Sequence, residues 1–147
     1  MAAIRRADAT WTGSLAEGAG TVSASSSAAF SDLPVSWASR TEESNGQTSP
    51  EELVAAAHAA CYSMAFSGGL ARNGTPAERL DVSATVTFDR VADAWTVASS
   101  ALTVRGRVPG IDGATFERLA DEARDGCPIS RALKGNVAVS VEATLVS

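Results

Sequence analysis

The chain is short of the residues that most catalytic sites are built from. Lys134 is its one lysine, His58 its one histidine, and Cys61 and Cys127 its two cysteines. With no Cys-x-x-Cys and no His-x-x-x-His spacing, these residues make neither a closed zinc set nor a thioredoxin-type pair, so no metal is expected. Serine is plentiful, but no serine stands in a nucleophile-elbow pattern, and no glycine-rich phosphate motif occurs. No apolar stretch follows Met1-Ala2-Ala3-Ile4-Arg5-Arg6, so no secretory signal is read there. The expected compartment is then the reducing cytoplasm, where a structural disulfide is not anticipated. Acidic residues outnumber basic ones 17 to 12, a formal net charge of −5. That balance argues against nucleic acid or an acidic membrane surface as partner. The longest uncharged run, residues 53–71, approaches membrane length. It is mostly Ala, Gly and Ser with His58 inside, and it reads as a buried helix rather than a lipid-facing one.

What is present describes an ordinary globular chain. Its 147 residues are 45% hydrophobic and 20% charged, which predicts one domain over 1–147 with a real core. Residues 7–12 and 20–30 read as strands joined by a glycine-containing turn, and residues 35–39 as a third short strand. Residues 41–48 are polar and read as a loop. Ser49-Pro50-Glu51-Glu52 then signals a helix start: Ser49 as N-cap, Pro50 in the first turn and Glu52 as capping-box acid. This helix runs to about Arg72 and stops at Asn73-Gly74. Small residues around Ala55–Ala60 would let another backbone approach closely, which suits a central helix packed on a sheet and on a symmetry mate.

Beyond it, Val82, Ala84, Val86 and Phe88 alternate with polar residues, and a turn at residues 91–94 leads back through residues 95–108 with a bulge between Val97 and Leu102. Phe116, Leu119, Ala120 and Ala123 have helical spacing. Cys127-Pro128 opens a shorter helix, and Val137, Val139, Val141, Ala143 and Leu145 close with a strand. The class is α+β.

The cysteines have two readings from the residues alone: buried packing groups, or reactive thiols. Cys61 lies mid-helix, where no helix N-terminus can lower its pKa, so a reactive Cys61 needs a cation from elsewhere. Cys127 opens a short helix, whose dipole favours a thiolate. Glu51 suits a first-turn acid, and His58, one turn before Cys61, suits a structural role. Arg131 reads as a surface or capping charge. Trp11, Trp37, Trp95, Phe66 and Phe116 suit a core, although some of them could line an apolar substrate site.

The run Ser49-Pro50-Glu51-Glu52-Leu53-Val54-Ala55-Ala56-Ala57-His58-Ala59-Ala60-Cys61-Tyr62-Ser63-Met64 closely resembles the central-helix signature of the OsmC/Ohr family of bacterial thiol-dependent peroxidases. Val108-Pro109-Gly110-Ile111-Asp112 and Gly126-Cys127-Pro128-Ile129-Ser130 resemble its second-cysteine region. Trp11-Thr12-Gly13 and Gly20-Thr21-Val22-Ser23 resemble the OsmC branch. The resemblance covers essentially the whole chain. It implies an OsmC-like fold: N-terminal strands, a long central helix, a strand hairpin, two shorter helices and a C-terminal strand, in an intertwined homodimer.

By the same resemblance, Cys61 matches the peroxidatic cysteine, Cys127 the resolving cysteine, Arg40 the arginine that contacts the reactive thiolate, and Glu51 the site glutamate. After the arginine the family usually has an aromatic residue and soon a glycine; this chain has Thr41, Glu42 and Glu43. The implied activity is reduction of organic hydroperoxides to alcohols, with an external dithiol, lipoyl groups among them, as reductant and no cofactor, flavin or haem. The alternative is a redox-sensing or ligand-binding stress protein that does not turn over.

Overall fold

The structure is a computed structural model describing residues 1–147. Contacts divide the chain into two compact units, residues 1–53 and 54–147.

The first unit holds a three-stranded antiparallel sheet of β1 (Asp8–Thr12), β2 (Ala19–Ser23) and β3 (Leu33–Val35), followed by α1 (Trp37–Thr41). β1 pairs Asp8 with Ser23 and Thr12 with Ala19, while β2 pairs Gly20 with Val35. Two expectations need correction. The second strand ends at Ser23, not near residue 30, because the serine-rich stretch after it turns: the Ala28 N–H donates to the Ala24 carbonyl at 2.8 Å and Ala28 has φ 56°. The Ser23 hydroxyl accepts from the Asp32 N–H, which further draws the chain into local bonding rather than a ladder. The third strand stops at Val35, and residues 37–41 are helical. Ser36 is the N-cap and forms a reciprocal capping box with Ser39, an exchange that satisfies two orphan N–H groups and turns the chain into a helix.

The long helix α2 (Pro50–Arg72) starts and stops where the sequence predicts. The Ser49 hydroxyl accepts from the Glu52 N–H at 3.1 Å, while the Glu52 carboxylate takes the Thr48 hydroxyl at 2.8 Å. At the other end Gly74 has φ 81°, a left-handed conformation that suits a helix stop. Burial of α2 is narrower than a wholly buried helix requires. In the second unit one stripe at four-residue spacing is buried, His58–Tyr62–Phe66–Leu70, and the remaining faces are half-buried or exposed, Met64 among them. By length and composition alone α2 would also qualify as a membrane span.

The second unit is built on β4 (Arg79–Val91), β5 (Ala94–Arg107) and β6 (Ala138–Val146), in the order β4-β5-β6. β4 and β5 form a tight antiparallel hairpin through Ala92 and Asp93, both at positive φ, the backbone twist that two-residue hairpins need. The predicted bulge is there: Thr87 pairs with Ser99 but Phe88 with Val97. β6 joins the other edge of β5 in parallel, so α3 (Gly113–Gly126) and α4 (Pro128–Leu133) are the crossover. Asp112 caps α3 by accepting from the Thr115 N–H at 2.8 Å.

The core lies between the stripe of α2, the buried positions Leu102, Val104 and Val108 of β5 and the strand end, and Phe116, Leu119, Ala120 and Ala123 of α3. The Phe66 and Phe116 rings lie 5.1 Å apart, and the Tyr62 hydroxyl donates to the Ala120 carbonyl at 3.0 Å. Gly106 is required here by close approach: a Cβ on it would lie 2.7 Å from the Phe116 ring and 3.0 Å from Leu80. Gly106→Ala is therefore expected to destabilise the protein by about 1–3 kcal/mol, as overpacking of a dense core does; urea unfolding with an unchanged m-value checks it.

Candidate active site

The four residues singled out from the sequence fall into two pairs. Arg40, in the single-turn α1, and Glu51, in the first turn of α2, both lie in the first unit. The Arg40 Nε donates to Glu51 Oε1 at 3.0 Å and Oε2 at 3.1 Å, and Nη2 donates to Oε1 at 2.8 Å. Glu51 is 7% exposed. A carboxylate so buried is tolerable because the guanidinium pairs with it and its planar fork fits both oxygens. The Arg40 guanidinium also lies over the Trp37 ring, 5.8 Å from its centroid. Thr41, where the family usually has an aromatic residue, donates its hydroxyl to the Trp37 carbonyl at 2.9 Å. Glu42 and Glu43 are exposed, and Arg40 keeps Glu51.

Arg40 borders a cavity of about 300 Å³ lined also by Trp11, Leu15, Val35, Trp37 and Pro50. With Ser36 also in the lining, these are mostly apolar groups around one cation, a surface suited to a molecule with an apolar body and a polar head. Of the aromatics weighed in the sequence, Trp11 and Trp37 line this cavity and Phe66 and Phe116 are core, whereas Trp95 is neither: it is exposed on β5 and stacks on Phe88. The small N-terminal sheet and the helical turn at Trp37 bring Leu15 and Val35 beside them, which no local pattern in the sequence signals.

The second pair is Cys61 with Cys127. Both thiols are free; Cys61, on α2, is half-buried, and Cys127, the N-cap of α4, is fully buried. They are neighbours close enough to shift each other's ionisation, in opposite directions. Burial pushes the Cys61 thiol up; the backbone N–H of Ile129 works against this, and Cys127 adds to the rise. Burial also opposes the Cys127 thiolate, but the Ser130 N–H, the Cys61 thiol, the Ser130 hydroxyl and the Ile129 N–H together hold its pKa below the ordinary thiol value. This agrees with the expectation that the opening of α4 favours a thiolate there. It also sharpens the requirement on Cys61, whose own unit supplies groups that raise its pKa on balance.

His58 is fully buried, one turn before Cys61. One ring nitrogen, Nδ1, meets the Ser100 hydroxyl and the other, Nε2, the Ser130 hydroxyl, each at 2.7 Å. Burial lowers its pKa, so the ring is neutral. Arg131 is exposed in the last turn of α4, in keeping with a surface charge. No group of three or more His, Cys, Asp or Glu side chains is placed to hold a metal ion.

Comparison with known proteins gives the chain a family and a shared fold. A family model described as "OsmC-like protein" matches residues 43–142. Peroxiredoxin OsmC of Escherichia coli (strain K12) is 37% identical over 142 residues, covering 97% of this chain and 98% of that one. Organic hydroperoxide resistance protein OhrA of Bacillus subtilis (strain 168) is 30% identical over 112 residues, 76% of this chain and 77% of that one. Among solved structures, an OsmC-like protein from Mycoplasma pneumoniae superposes with a TM-score of 0.74 at 16% identity, covering all of both chains. OhrB of Bacillus subtilis gives 0.70 at 23% identity, over 95% of this chain and 98% of that one. The α+β architecture is thus shared with these proteins.

Proposed function

The chain belongs to the OsmC-like family, and on that premise we propose that it is a thiol-dependent peroxidase that reduces organic hydroperoxides to alcohols. The observation that carries the reading is the juxtaposition of two free thiols on separate helices, one half-buried and one fully buried. Two such groups suit sequential oxidation and disulfide closure, and the names of the curated relatives accord with that chemistry.

The Cys61 thiolate attacks the terminal oxygen of ROOH. The O–O bond breaks, the sulfur becomes a sulfenic acid, and RO⁻ takes a proton to leave as alcohol. Cys127 attacks the sulfenic sulfur; an S–S bond forms, the S–O bond breaks, and hydroxide leaves with the Cys127 proton as water. An external dithiol then reduces the disulfide. Arg40, braced by Glu51, is the cation we assign to the Cys61 thiolate and to the charge that develops on the peroxide oxygens. The cavity lined by Trp11, Leu15, Val35 and Trp37 is assigned to the organic group. No step needs a metal, flavin or haem.

The same reading takes 1–147 as one OsmC-like domain working as a homodimer in the cytoplasm. Support for the second copy is the amount of apolar surface a single chain leaves uncovered. Trp11 of β1 and Leu15 are 43% and 59% exposed, and Met64 on α2 is 70% exposed. A two-fold partner is the commonest way such surface is covered. Sedimentation at micromolar concentration is expected to give twice the chain mass; a monomer removes the dimer from the reading.

The activity is tested by mixing reduced protein with cumene hydroperoxide and excess dithiol. Sustained peroxide loss is the expected result. Consumption of one equivalent followed by none would turn the protein into a sensor, and unchanged thiols would overturn the peroxidase altogether.

A further inference from the structure

The buried histidine has no part in the chemistry described above, yet its placement repeats that of the cysteines. His58 lies three residues before Cys61 on α2, and Ser130 three residues after Cys127 on α4. The mutual influence of the two thiols and the 2.7 Å bond between His58 Nε2 and the Ser130 hydroxyl therefore join α2 to the start of α4 about one turn apart. The other ring nitrogen is tied at 2.7 Å to Ser100, on the central strand β5. His58, Ser100 and Ser130 are 0%, 0% and 5% exposed. Three elements thus meet in one buried polar chain, with both ring nitrogens engaged.

We infer that His58 is a positioning residue for disulfide closure: its bond to Ser130 holds α4, and with it Cys127, against Cys61, while Ser100 fixes the ring between them. A neutral imidazole presents one donor and one acceptor. If Nε2–H donates to Ser130, the Ser130 hydroxyl is left to donate toward the Cys127 sulfur, and the Ser100 hydroxyl donates to Nδ1. Each polar group then has a partner, and the one orientation of Ser130 that serves His58 also favours the Cys127 thiolate. Cys61 and Tyr62 of α2 are ionisable groups near enough to interact with Cys127; burial keeps the Tyr62 phenol protonated, and Asp121 and Arg124 of α3 act on that phenol. The chain sets how closely the two sulfurs meet, and so their effective concentration.

This inference rests on the peroxidase reading for its role in turnover, but it is testable without peroxide. Ser130→Ala and His58→Gln are equilibrated with reduced and oxidised glutathione, and the Cys61–Cys127 disulfide is quantified. A loss of positioning lowers the equilibrium constant for closure by about tenfold or more, an effective-concentration effect, whereas a role in stability alone lowers the melting temperature and leaves the constant in place. In a second measurement one equivalent of cumene hydroperoxide is added to each reduced variant. The Cys61 sulfenic acid, captured with a trapping reagent, is expected to outlive that of the parent by a similar factor. Ser130→Ala removes one oxygen and carries the test if His58→Gln fails to fold. An unchanged exchange constant in folded Ser130→Ala overturns the inference. A parent protein that ignores peroxide, with a lowered exchange constant in the variants, would instead overturn the peroxidase and leave the positioning role intact.

Discussion

Cys61→Ser is expected to consume no peroxide, and Cys127→Ser to consume one equivalent and then stall. The asymmetry follows from the order of the chemistry. Without the Cys61 sulfur no oxidisable nucleophile stands in the half-buried position; the Cys127 sulfur, although its pKa is held below the ordinary thiol value, is fully buried and out of reach of a bulky hydroperoxide. Without Cys127 the first attack still proceeds, but the sulfenic acid has no internal partner. It should be captured by a trapping reagent and should progress to sulfinic acid at peroxide concentrations that spare the parent. Mass spectrometry of the intact chain reads each state. Full turnover by Cys61→Ser would refute the mechanism. Turnover of Cys127→Ser with a monothiol alone would remove the resolving role and keep the peroxidatic one.

Arg40→Ala should produce the next largest effect. Burial and Cys127 raise the Cys61 pKa, so at neutral pH the thiol is mostly protonated unless a cation offsets them. An opposite charge in contact lowers a pKa by about 1 to 3 units. Removing it should slow alkylation of Cys61 near pH 7 by about tenfold to a thousandfold, and the rate should recover as pH rises toward the new pKa. Arg40→Lys should recover only part of the rate, since an ammonium cannot grip both Glu51 oxygens and reach a thiolate as well. Glu51→Gln keeps a neutral acceptor for Arg40 but weakens the grip. It should depress peroxide turnover more than it moves the Cys61 pKa. An unchanged alkylation profile together with full peroxidase activity in Arg40→Ala would rule out Arg40 as the activating cation.

The parts of the fold legible in the sequence are those with a strong local signal repeated over many residues. Ser49-Pro50 and Asn73-Gly74 bracket α2, and strict alternation marks β4 and β6. A slip in that alternation marks the bulge opposite Thr87 and Phe88. Where the expectation failed, the signal was one turn long. Trp37–Thr41 continues the apolar spacing of β3, and only the Ser36–Ser39 exchange, with bonds of 3.1 Å in both directions, diverts it into a helix. The serines after Ser23 satisfy backbone groups locally, which propensity over residues 20–30 cannot foresee.

The candidate site is legible in the same uneven way. Arg40, Glu51 and the two cysteines came from a likeness of motifs, since nothing in the spacing of Arg40 and Glu51 dictates the three-bond ion pair. The partners of His58 lie 42 and 72 residues away. Two isolated serines in a serine-rich chain give no local sign of meeting one imidazole; tertiary packing alone selects them.

The parallel pairing of β6 with β5 has a consequence for how the protein comes into being. Cys127 lies within the crossover, between the strand already made and the strand still to come. On the ribosome, α2 and the β4–β5 hairpin can form early from local contacts, before the crossover that carries Cys127 has been made, and β6 must then close a long loop onto β5, a slow non-local step. During that interval Cys61 exists without its partner. A nascent chain that meets an oxidant then is in the position of the Cys127→Ser variant, open to irreversible oxidation. Protein made in the middle of an oxidative burst would enter the pool partly spent, and synthesis ahead of the burst would yield more working copies per chain translated.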